Sequence, residues 1–464
     1  MNLGVRSIEQ LIKRVDLSCE ADEIDILPPK TKINELVKTL FSNDPETIRK
    51  TTKLIRIMLS KEKELPIQEF IDTGAVPQIV SFLTGTSGDT LLESIWILTN
   101  ICSGSSSQCR YVVNLGVVPI LVQLLQSNDH EIFTQSCWVL GNIAGDNVEF
   151  RDLLLEQPVI DSVIDHFKNT QSSEHQKCIE IAAWLFSNLC RGKPSPEFDR
   201  VKKIINFLAP YITAEVTNTT IDATWCFCYL SNDSEEQINA ILDVGILPTF
   251  VEMLSFDNPQ IQTPALRVLG NIATGNEQQT QKLLETKLLE KMGGMLENKK
   301  ISLLKESVWL ISNITAGTGN QIQQVIDSGI IPKIIELMES QNNSIKNEAC
   351  WVISNGIYGG SKIQLKYFID QGCIKKFCHI LLSNQSQILR ICLESIERIL
   401  RYGNDVFQDE NPYLEELETY EGVDSLERLQ NHENTTIYQL AHNILENYFI
   451  DDEDLSDEVG EDQL

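Results

Sequence analysis

Apolar residues recur at helical spacing along the chain, and short Gly-to-Pro segments interrupt them. Runs such as "PILVQLLQS" from Pro119 and "PKIIELMES" from Pro332 place apolar side chains on one face of a helix. Glycine stands three residues before proline at four such points: Gly74 and Pro77, Gly116 and Pro119, Gly245 and Pro248, Gly329 and Pro332. Glycine ends one helix, and proline opens the next within its first turn. Since no alternating strand pattern lies between these points, the sequence predicts an all-α chain.

A second pattern pairs a tryptophan with an asparagine four residues later. It reads "IWILTNICSG" from Ile95 and "CWVLGNIAGD" from Cys137. All six tryptophans of the chain occupy this position: Trp96, Trp138, Trp184, Trp225, Trp309 and Trp351. Their successive gaps are 42, 46, 41, 84 and 42 residues, and the midpoint of the double gap is Arg267 in "LRVLGNIATG". Steps of 42 residues beyond either end reach Leu54 and Leu393, which predicts about ten repeats between residues 30 and 449.

A purely helical unit of this length is typical of armadillo and HEAT repeats. Such units stack on their neighbours without a central core. We therefore expect an all-α, armadillo-repeat, right-handed superhelical solenoid of about ten repeats over residues 30–449. Residues 1–29 form a separate N-terminal segment in this interpretation, and residues 450–464 form an acidic, disordered tail.

The Trp and Asn positions share one helical face, because residues at i and i+4 lie one turn apart. In a stack of repeats they form parallel columns, and the concave groove is where such proteins usually bind. An asparagine amide offers a donor and an acceptor to the backbone of an extended peptide. Flat tryptophan walls suit the apolar stems of Lys and Arg, whose charged ends favour ring faces by about 0.5–2 kcal/mol. The columns therefore predict an extended, Lys/Arg-rich peptide as the ligand.

The charge of the chain agrees with a basic ligand. The net charge is −28, and the stretch after Ile450 holds eight acidic residues and no basic one. This balance argues against nucleic acid as a partner, because a phosphate backbone needs a basic surface. An acidic protein attracts basic partners and speeds their encounter. Solubility alone is the alternative explanation of the charge.

Other function classes find little support in the sequence. It has no run of 18 apolar residues and no early apolar stretch long enough for a signal peptide, so we expect a cytosolic chain without membrane contact. Twelve cysteines are scattered without C-x-x-C, which favours small apolar residues in helix cores over zinc or disulfides. Six histidines form no H-E-x-x-H motif, and "GTGNQI" from Gly317 fails the G-x-G-x-x-G pattern. We expect no enzyme activity, no cofactor and no metal.

The Trp–Asn columns resemble those of importin-α, a family of nuclear-import adaptors that carry Lys/Arg-rich localisation signals. The resemblance covers nearly the whole array, and generic armadillo proteins lack the columns. Two interruptions match the family as well, since Tyr229 replaces asparagine in "DATWCFCYLSND" and Arg267 replaces tryptophan in "TPALRVLGN". By this resemblance the groove is divided into a major site in repeats two to four and a minor site in repeats six to eight.

The resemblance implies a set of peptide-binding residues for each site. Tryptophans form the slots, asparagines hold the peptide backbone, and Asp146 with the carbonyl of Gly104 binds the most deeply placed lysine. The major-site set is Trp96, Asn100, Gly104, Gln135, Trp138, Asn142, Asp146, Trp184, Asn188, Arg191, Asp222, Trp225 and Tyr229. The minor-site set is Arg267, Asn271, Glu306, Trp309, Asn313, Glu348, Trp351 and Asn355.

The resemblance also implies partners, with some departures from the family. Cargo proteins, importin-β and a recycling exportin are the expected partners, the last through residues 411–449 and the acidic tail, with shuttling between cytoplasm and nucleus. Cys109 stands where a threonine is usual, and Asn218 where a carboxylate is common. A basic importin-β-binding segment is not recognisable, because residues 1–30 hold four bases against six acids. An armadillo scaffold that binds other basic peptides without nuclear import is the alternative.

Overall fold

A computed structural model of the chain describes residues 33–61, 65–169, 175–408 and 410–449. In these residues every regular element is helical, which confirms the all-α armadillo-repeat prediction. Backbone contacts divide the chain into two compact units, of which the first ends at Asp233 and the second begins at Ser234. The predicted segment 1–29 and the acidic tail 450–464 lie outside the described residues, so those domain boundaries stay predictions.

The first unit holds repeats one to five. Its helices are α1 (Ile33–Thr39), α2 (Pro45–Lys61), α3 (Ile67–Asp72), α4 (Val76–Gly85), α5 (Asp89–Cys102), α6 (Ser106–Asn114), α7 (Val117–Leu124), α8 (His130–Asp146), α9 (Val148–Leu155), α10 (Val159–Asn169), α11 (His175–Cys190), α12 (Phe198–Val201), α13 (Lys203–Leu208) and α14 (Asn218–Leu230). A 3₁₀ helix, Ala209–Tyr211, precedes α14.

The second unit holds repeats six to ten. Its helices are α15 (Glu235–Asp243), α16 (Leu247–Met253), α17 (Pro259–Ala273), α18 (Glu277–Leu284), α19 (Leu288–Leu296), α20 (Ile301–Thr315), α21 (Gly319–Asp327), α22 (Ile331–Leu337), α23 (Asn343–Gly359), α24 (Lys362–Asp370), α25 (Cys373–Ile380), α26 (Ser386–Phe407), α27 (Pro412–Thr419), α28 (Gly422–Leu429) and α29 (Thr435–Tyr448).

The Gly-to-Pro turns lie where the sequence predicts them. Gly74 has φ of 71° between α3 and α4, and Gly329 has φ of 75° between α21 and α22. These left-handed conformations favour glycine because it lacks a Cβ. Pro77 and Pro332 follow in the first turn of the next helix, where a missing N–H costs nothing.

The last helix of each repeat packs against the last helix of the following repeat within the same unit. In the first unit the contacting series is α2, α5, α8, α11 and α14. In the second unit it is α17, α20, α23, α26 and α29. These helices, called third helices below, form one layer in each unit and carry the Trp and Asn positions.

A repeated glutamine joins the first helices of neighbouring repeats in the second unit. Gln279, Gln321 and Gln364 each stand third in their helix and complete a capping box with the N-cap residue. Their amide nitrogens donate to the carbonyl of the first residue in the preceding repeat's first helix, at 2.9, 3.0 and 2.7 Å respectively. The capping signal is visible in the sequence, whereas the bond between repeats appears only in the structure.

Eleven cysteines lie in the part of the chain that the structure describes, and all are buried and outside disulfides. Burial within helices is what the sequence led us to expect of them. None of the described helices is long and apolar enough to cross a membrane.

Candidate functional site

The asparagines of the columns are anchored on the preceding repeat. The Nδ2 atoms of Asn142 and Asn188 donate to the carbonyls of Thr99 and Gly141, both at 3.1 Å. In the second unit Asn313 donates to the Gly270 carbonyl at 3.2 Å, and Asn355 donates to the Ser312 carbonyl at 2.9 Å. In every case the acceptor is the residue just before the asparagine position of the preceding repeat. One N–H of each amide therefore holds the repeats in register, a role that the spacing alone did not indicate.

Two of these acceptor residues, Gly141 and Gly270, also contact tryptophan rings. A Cβ added to Gly141 would overlap the Trp184 ring, and a Cβ added to Gly270 would overlap the Trp309 ring. The six-membered part of each ring therefore lies directly against a glycine on the neighbouring third helix. Trp184 has no exposed surface, whereas Trp351 is 37% exposed. The tryptophans thus differ in how much ring surface they offer to a ligand.

The remaining tryptophans of the column also differ in burial. Trp96, Trp138 and Trp309 are partly exposed, and Trp225 is buried. The indole N–H groups of Trp96 and Trp309 are buried and have no hydrogen-bond acceptor among the described residues. A buried indole N–H usually has an acceptor, so these two groups suit a ligand that supplies one.

In the first repeat, two polar side chains of α2 contact the column residues of the second repeat. Steps of 42 residues reach Leu54, and two residues later the guanidinium of Arg56 lies 4.3 Å from the centre of the Trp96 ring. The Nδ2 of Asn100 donates to the hydroxyl of Ser60 at 2.8 Å. Arg56 and Ser60 therefore connect repeat one to the Trp and Asn positions of repeat two.

In both units, an arginine of a third helix pairs with the glutamate three residues before the tryptophan of the next repeat. Arg56 and Glu93 are joined at 2.7 Å, and Arg267 and Glu306 are joined at 2.7 Å. All four side chains are at most 13% exposed. Glu306, predicted as a minor-site residue, is therefore held by Arg267, another residue of the same predicted set.

The predicted lysine pocket around Asp146 contains a hydroxyl. Asp146 is the last residue of α8, and its Oδ2 accepts hydrogen bonds from Ser106 Oγ at 2.7 Å and Asn147 Nδ2 at 2.6 Å. Cys109 is fully buried nearby on α6, and Gly104 is partly exposed between α5 and α6. Cys109 stands where the family usually has a threonine, and the sequence did not indicate that Ser106 supplies a hydroxyl to Asp146.

The other predicted major-site residues connect the third helices. Gln135 is buried, and its Nε2 donates to Thr99 Oγ1 at 2.7 Å. Arg191 donates to the Gly145 carbonyl at the end of α8, at 2.8 Å. In α14 the rings of Trp225 and Tyr229 stack at 5.8 Å beside the buried Asp222. Asn218, in place of the common carboxylate, donates to Glu180 Oε1 at 3.0 Å.

Glu348 gives the second unit an unusual carboxylate. Burial raises the pKa of Glu348, and the nearby charge of Glu306 acts in the same direction, while a Ser312 hydrogen bond and Lys305 oppose the shift. The Ser312 hydroxyl lies 3.2 Å from Glu348 Oε2. Asn271, another residue of the predicted minor-site set, is buried in α17. A bound cation would favour the ionised form of Glu348, which the protein by itself destabilises.

The family matches cover armadillo repeats. The family described as Armadillo/beta-catenin-like repeat matches residues 63–103, 105–145, 234–274 and 320–355. The family described as Atypical Arm repeat matches residues 411–463, which include the stretch expected to form the last repeat.

Relatives match over most of the chain. Importin subunit alpha-B of Dictyostelium discoideum is 45% identical over 426 residues, which cover 91% of this chain and 82% of that protein. Importin subunit alpha-1b of Oryza sativa subsp. japonica is 39% identical over 427 residues, which cover 90% and 79%. The crystal structure of an engineered protein matches with a TM-score of 0.79 and 22% identity, over 90% of this chain and 98% of that one, and supports the fold alone.

Proposed function

The chain belongs to the importin subunit alpha family, and from this membership we propose that it is a nuclear-import adaptor for cargo with Lys/Arg-rich localisation signals. The observation that carries the proposal is the pair of Trp–Asn columns on adjacent third helices. Each asparagine is held by the repeat before it, so that successive amides keep a fixed spacing. An extended peptide presents its backbone groups at a similarly regular spacing.

In the first unit, Asn142 and Asp146 are the proposed centre of peptide recognition. The Oδ1 of Asn142 has no hydrogen-bond partner among the described residues and is buried. A peptide N–H would satisfy this acceptor once the neighbouring side chains move aside, and an unsatisfied buried acceptor costs about 1–3 kcal/mol. Asp146 is partly exposed and receives hydrogen bonds from neutral groups, so its carboxylate suits a lysine ammonium.

In the second unit, the proposed peptide-binding residues are more accessible. Asn313 and Asn355 are partly exposed, and Trp351 is the most exposed tryptophan of the set. Glu348 supplies a carboxylate for a Lys or Arg tip. Glu306 pairs with Arg267. A Lys or Arg side chain of the peptide would therefore compete with Arg267 for the Glu306 carboxylate.

The proposed partners follow from the same adaptor role. Cargo signals bind the two sets, importin-β couples the adaptor to transport, and a recycling exportin binds the last repeat and the acidic tail. The protein accordingly moves between cytoplasm and nucleus. Both segments implicated in coupling and recycling, residues 1–29 and 450–464, lie outside the described residues.

Fluorescence anisotropy with a labelled basic peptide tests the binding half of the proposal. We expect Trp138→Ala to weaken binding by about two- to thirtyfold, since one cation–π contact contributes about 0.5–2 kcal/mol. The same peptide with its central lysine changed to threonine should bind far more weakly to the wild-type chain. Phe41→Ala is the matched control, because Phe41 is an aromatic residue with 59% exposure outside both sets. Equal binding by Trp138→Ala and the wild type would move the site elsewhere.

Import in permeabilised cells tests the transport half. A fluorescent cargo that carries the basic peptide should enter nuclei only when the full chain, importin-β and an energy source are all added. Peptide binding without import would support the scaffold alternative. If the chain neither bound the peptide nor supported import of the cargo, the whole proposal would be overturned.

A further inference from the structure

Three metal-ligating side chains meet in the first unit, away from the proposed peptide-binding residues. They are His130 at the start of α8, His166 in α10 and Cys178 in α11, and their potential ligand atoms all lie within 4.8 Å of one another. The three residues come from two neighbouring repeats. Their sequence separations of 36 and 12 residues match no local zinc motif, which is why the sequence did not reveal the group.

The surroundings fix the positions of two of these side chains. The His166 ring is buried and stacks on the Phe133 ring, with centroids 3.6 Å apart and an interplanar angle of 7°. Cys178 is also buried, and its Sγ lies 3.4 Å from Thr134 Oγ1 and 3.9 Å from His130 Nδ1. His130 is partly exposed, so a metal ion can approach from its side. Buried ligands inside an apolar shell, with one open side, are typical of metal sites in proteins.

We propose that His130, His166 and Cys178 bind a zinc ion, with water as the fourth ligand. Imidazole nitrogen and thiolate sulfur are the ligands that zinc prefers, at bond lengths of about 2.0–2.3 Å. Tetrahedral coordination at these lengths separates ligand atoms by roughly 3.4 Å. The Sγ–Nδ1 distance of 3.9 Å is close to that value. All ligand atoms lie within 4.8 Å of one another, so no pair has to approach by more than about 1.4 Å, which side-chain rotation allows. Binding releases the Cys178 thiol proton to solvent, while both histidines coordinate as neutral imidazoles.

The zinc ion would connect two third helices that carry the Trp–Asn columns. His130 belongs to α8, the helix of Trp138, and Cys178 belongs to α11, the helix of Trp184. Zinc would hold the N-terminal ends of these helices together, at the opposite end from Asp146. The inference does not depend on peptide binding, because its test measures the metal itself.

Cobalt titration of the full chain tests the site, since Co²⁺ reports a thiolate ligand through a charge-transfer absorption band. We expect one equivalent of Co²⁺ to give this band in protein freed of metal by a chelator and kept reduced with a phosphine. Zinc should then displace the cobalt and remove the band. His130→Ala and Cys178→Ser should each weaken binding at least about tenfold, and Cys178→Ser should also abolish the band.

The controls separate loss of the site from loss of the fold. His130→Ala alters a partly exposed residue, and circular dichroism establishes whether the buried Cys178→Ser variant stays helical. His442→Ala is the matched control, because His442 is 42% exposed and lies in the second unit. The inference is overturned if the wild-type chain gives no thiolate band, or if the band is equally strong in folded Cys178→Ser. Unchanged affinity in His130→Ala would also overturn it.

Discussion

Single residues between the column positions determine how closely the third helices approach. Gly141 accepts the Asn188 amide through its carbonyl and receives the Trp184 ring on its Cα. Gly270 has the same two contacts, with Asn313 and Trp309. A side chain at either glycine would separate the ring from the helix, because protein interiors leave no room for an added methyl group.

Gly141→Ala should therefore destabilise the protein by about 1–3 kcal/mol, the usual cost of overpacking. It should also increase the exposure of Trp184, which is fully buried in the wild type. Denaturant unfolding measures the first effect, and quenching of tryptophan fluorescence measures the second.

Gly293→Ala is the control for this prediction. Gly293 lies in α19, is exposed, and would place its new Cβ in open space. Alanine there should stabilise the helix by about 0.5–1 kcal/mol, because glycine loses more backbone entropy on folding. If Gly141→Ala were as stable as Gly293→Ala, the glycine contact would have no structural importance.

Glu348 provides a second prediction at the residue scale, concerning pH. Its pKa is raised from the model-compound value of 4.5, mainly by burial, so the folded state holds its proton more tightly than the unfolded state does. Stability due to this group is present below its ordinary pKa and is lost as pH rises through the raised value. Glu348→Gln removes that loss, so the variant should unfold at a higher temperature than the wild type at pH 7 but not at pH 4.

Glu339→Gln should behave in the opposite way. Hydrogen bonds and charge from Lys376 and His379 lower the pKa of Glu339, so its stabilising effect is present above its ordinary pKa and is lost as pH falls. Thermal unfolding of both variants between pH 4 and pH 7 checks the pair. A stability difference of the same sign for both would contradict the roles assigned to burial and ion pairing.

At the scale of helices, the glutamine series predicts how repeats are held together. Gln321 is fully buried, accepts from the Thr318 backbone N–H at 2.9 Å, and donates to the Glu277 carbonyl at 3.0 Å. Gln321→Ala leaves that carbonyl without its bond and should cost about 1–3 kcal/mol. Hydrogen exchange should also show faster opening at the start of α21. Gln123→Ala, at an exposed position in α7, should change stability by less than about 0.5 kcal/mol.

The helices themselves were largely predictable from local signals. Gly74 and Pro77 mark a turn because their backbone preferences act within a few residues. In repeat one, neither tryptophan nor asparagine marks the third helix, so the sequence did not indicate the roles of Arg56 and Ser60. Their contacts with Trp96 and Asn100 of the next repeat appear only in the structure.

The residues of the candidate site remain a prediction from the sequence, whereas their contacts with one another are known only from the structure. A regular Trp–Asn spacing identifies one helical face, and family resemblance assigns it a ligand. That the asparagines bind backbone carbonyls some 43 residues earlier follows from packing between repeats, which no local pattern contains. The hydroxyl of Ser106 beside Asp146 was missed for the same reason.

At the scale of the whole molecule, the net charge of −28 governs how a basic ligand arrives. The field of many carboxylates speeds the approach of a positive peptide, by about 10- to 1000-fold in favourable cases. Salt screens this field, because the Debye length falls from about 30 Å at 0.01 M to about 8 Å at 0.15 M ionic strength. Contacts made after docking are short and are screened much less.

The association rate of a basic peptide should therefore fall at least about tenfold between these two ionic strengths, whereas its dissociation rate should change less. Stopped-flow anisotropy with the full chain measures both rates. A peptide of the same length with its basic residues replaced by threonine should associate slowly at either salt concentration, since it lacks the charge that the field attracts. If the basic peptide associated equally fast at both concentrations, the acidic charge would serve solubility alone, and recognition would rest on the Trp–Asn columns without electrostatic steering.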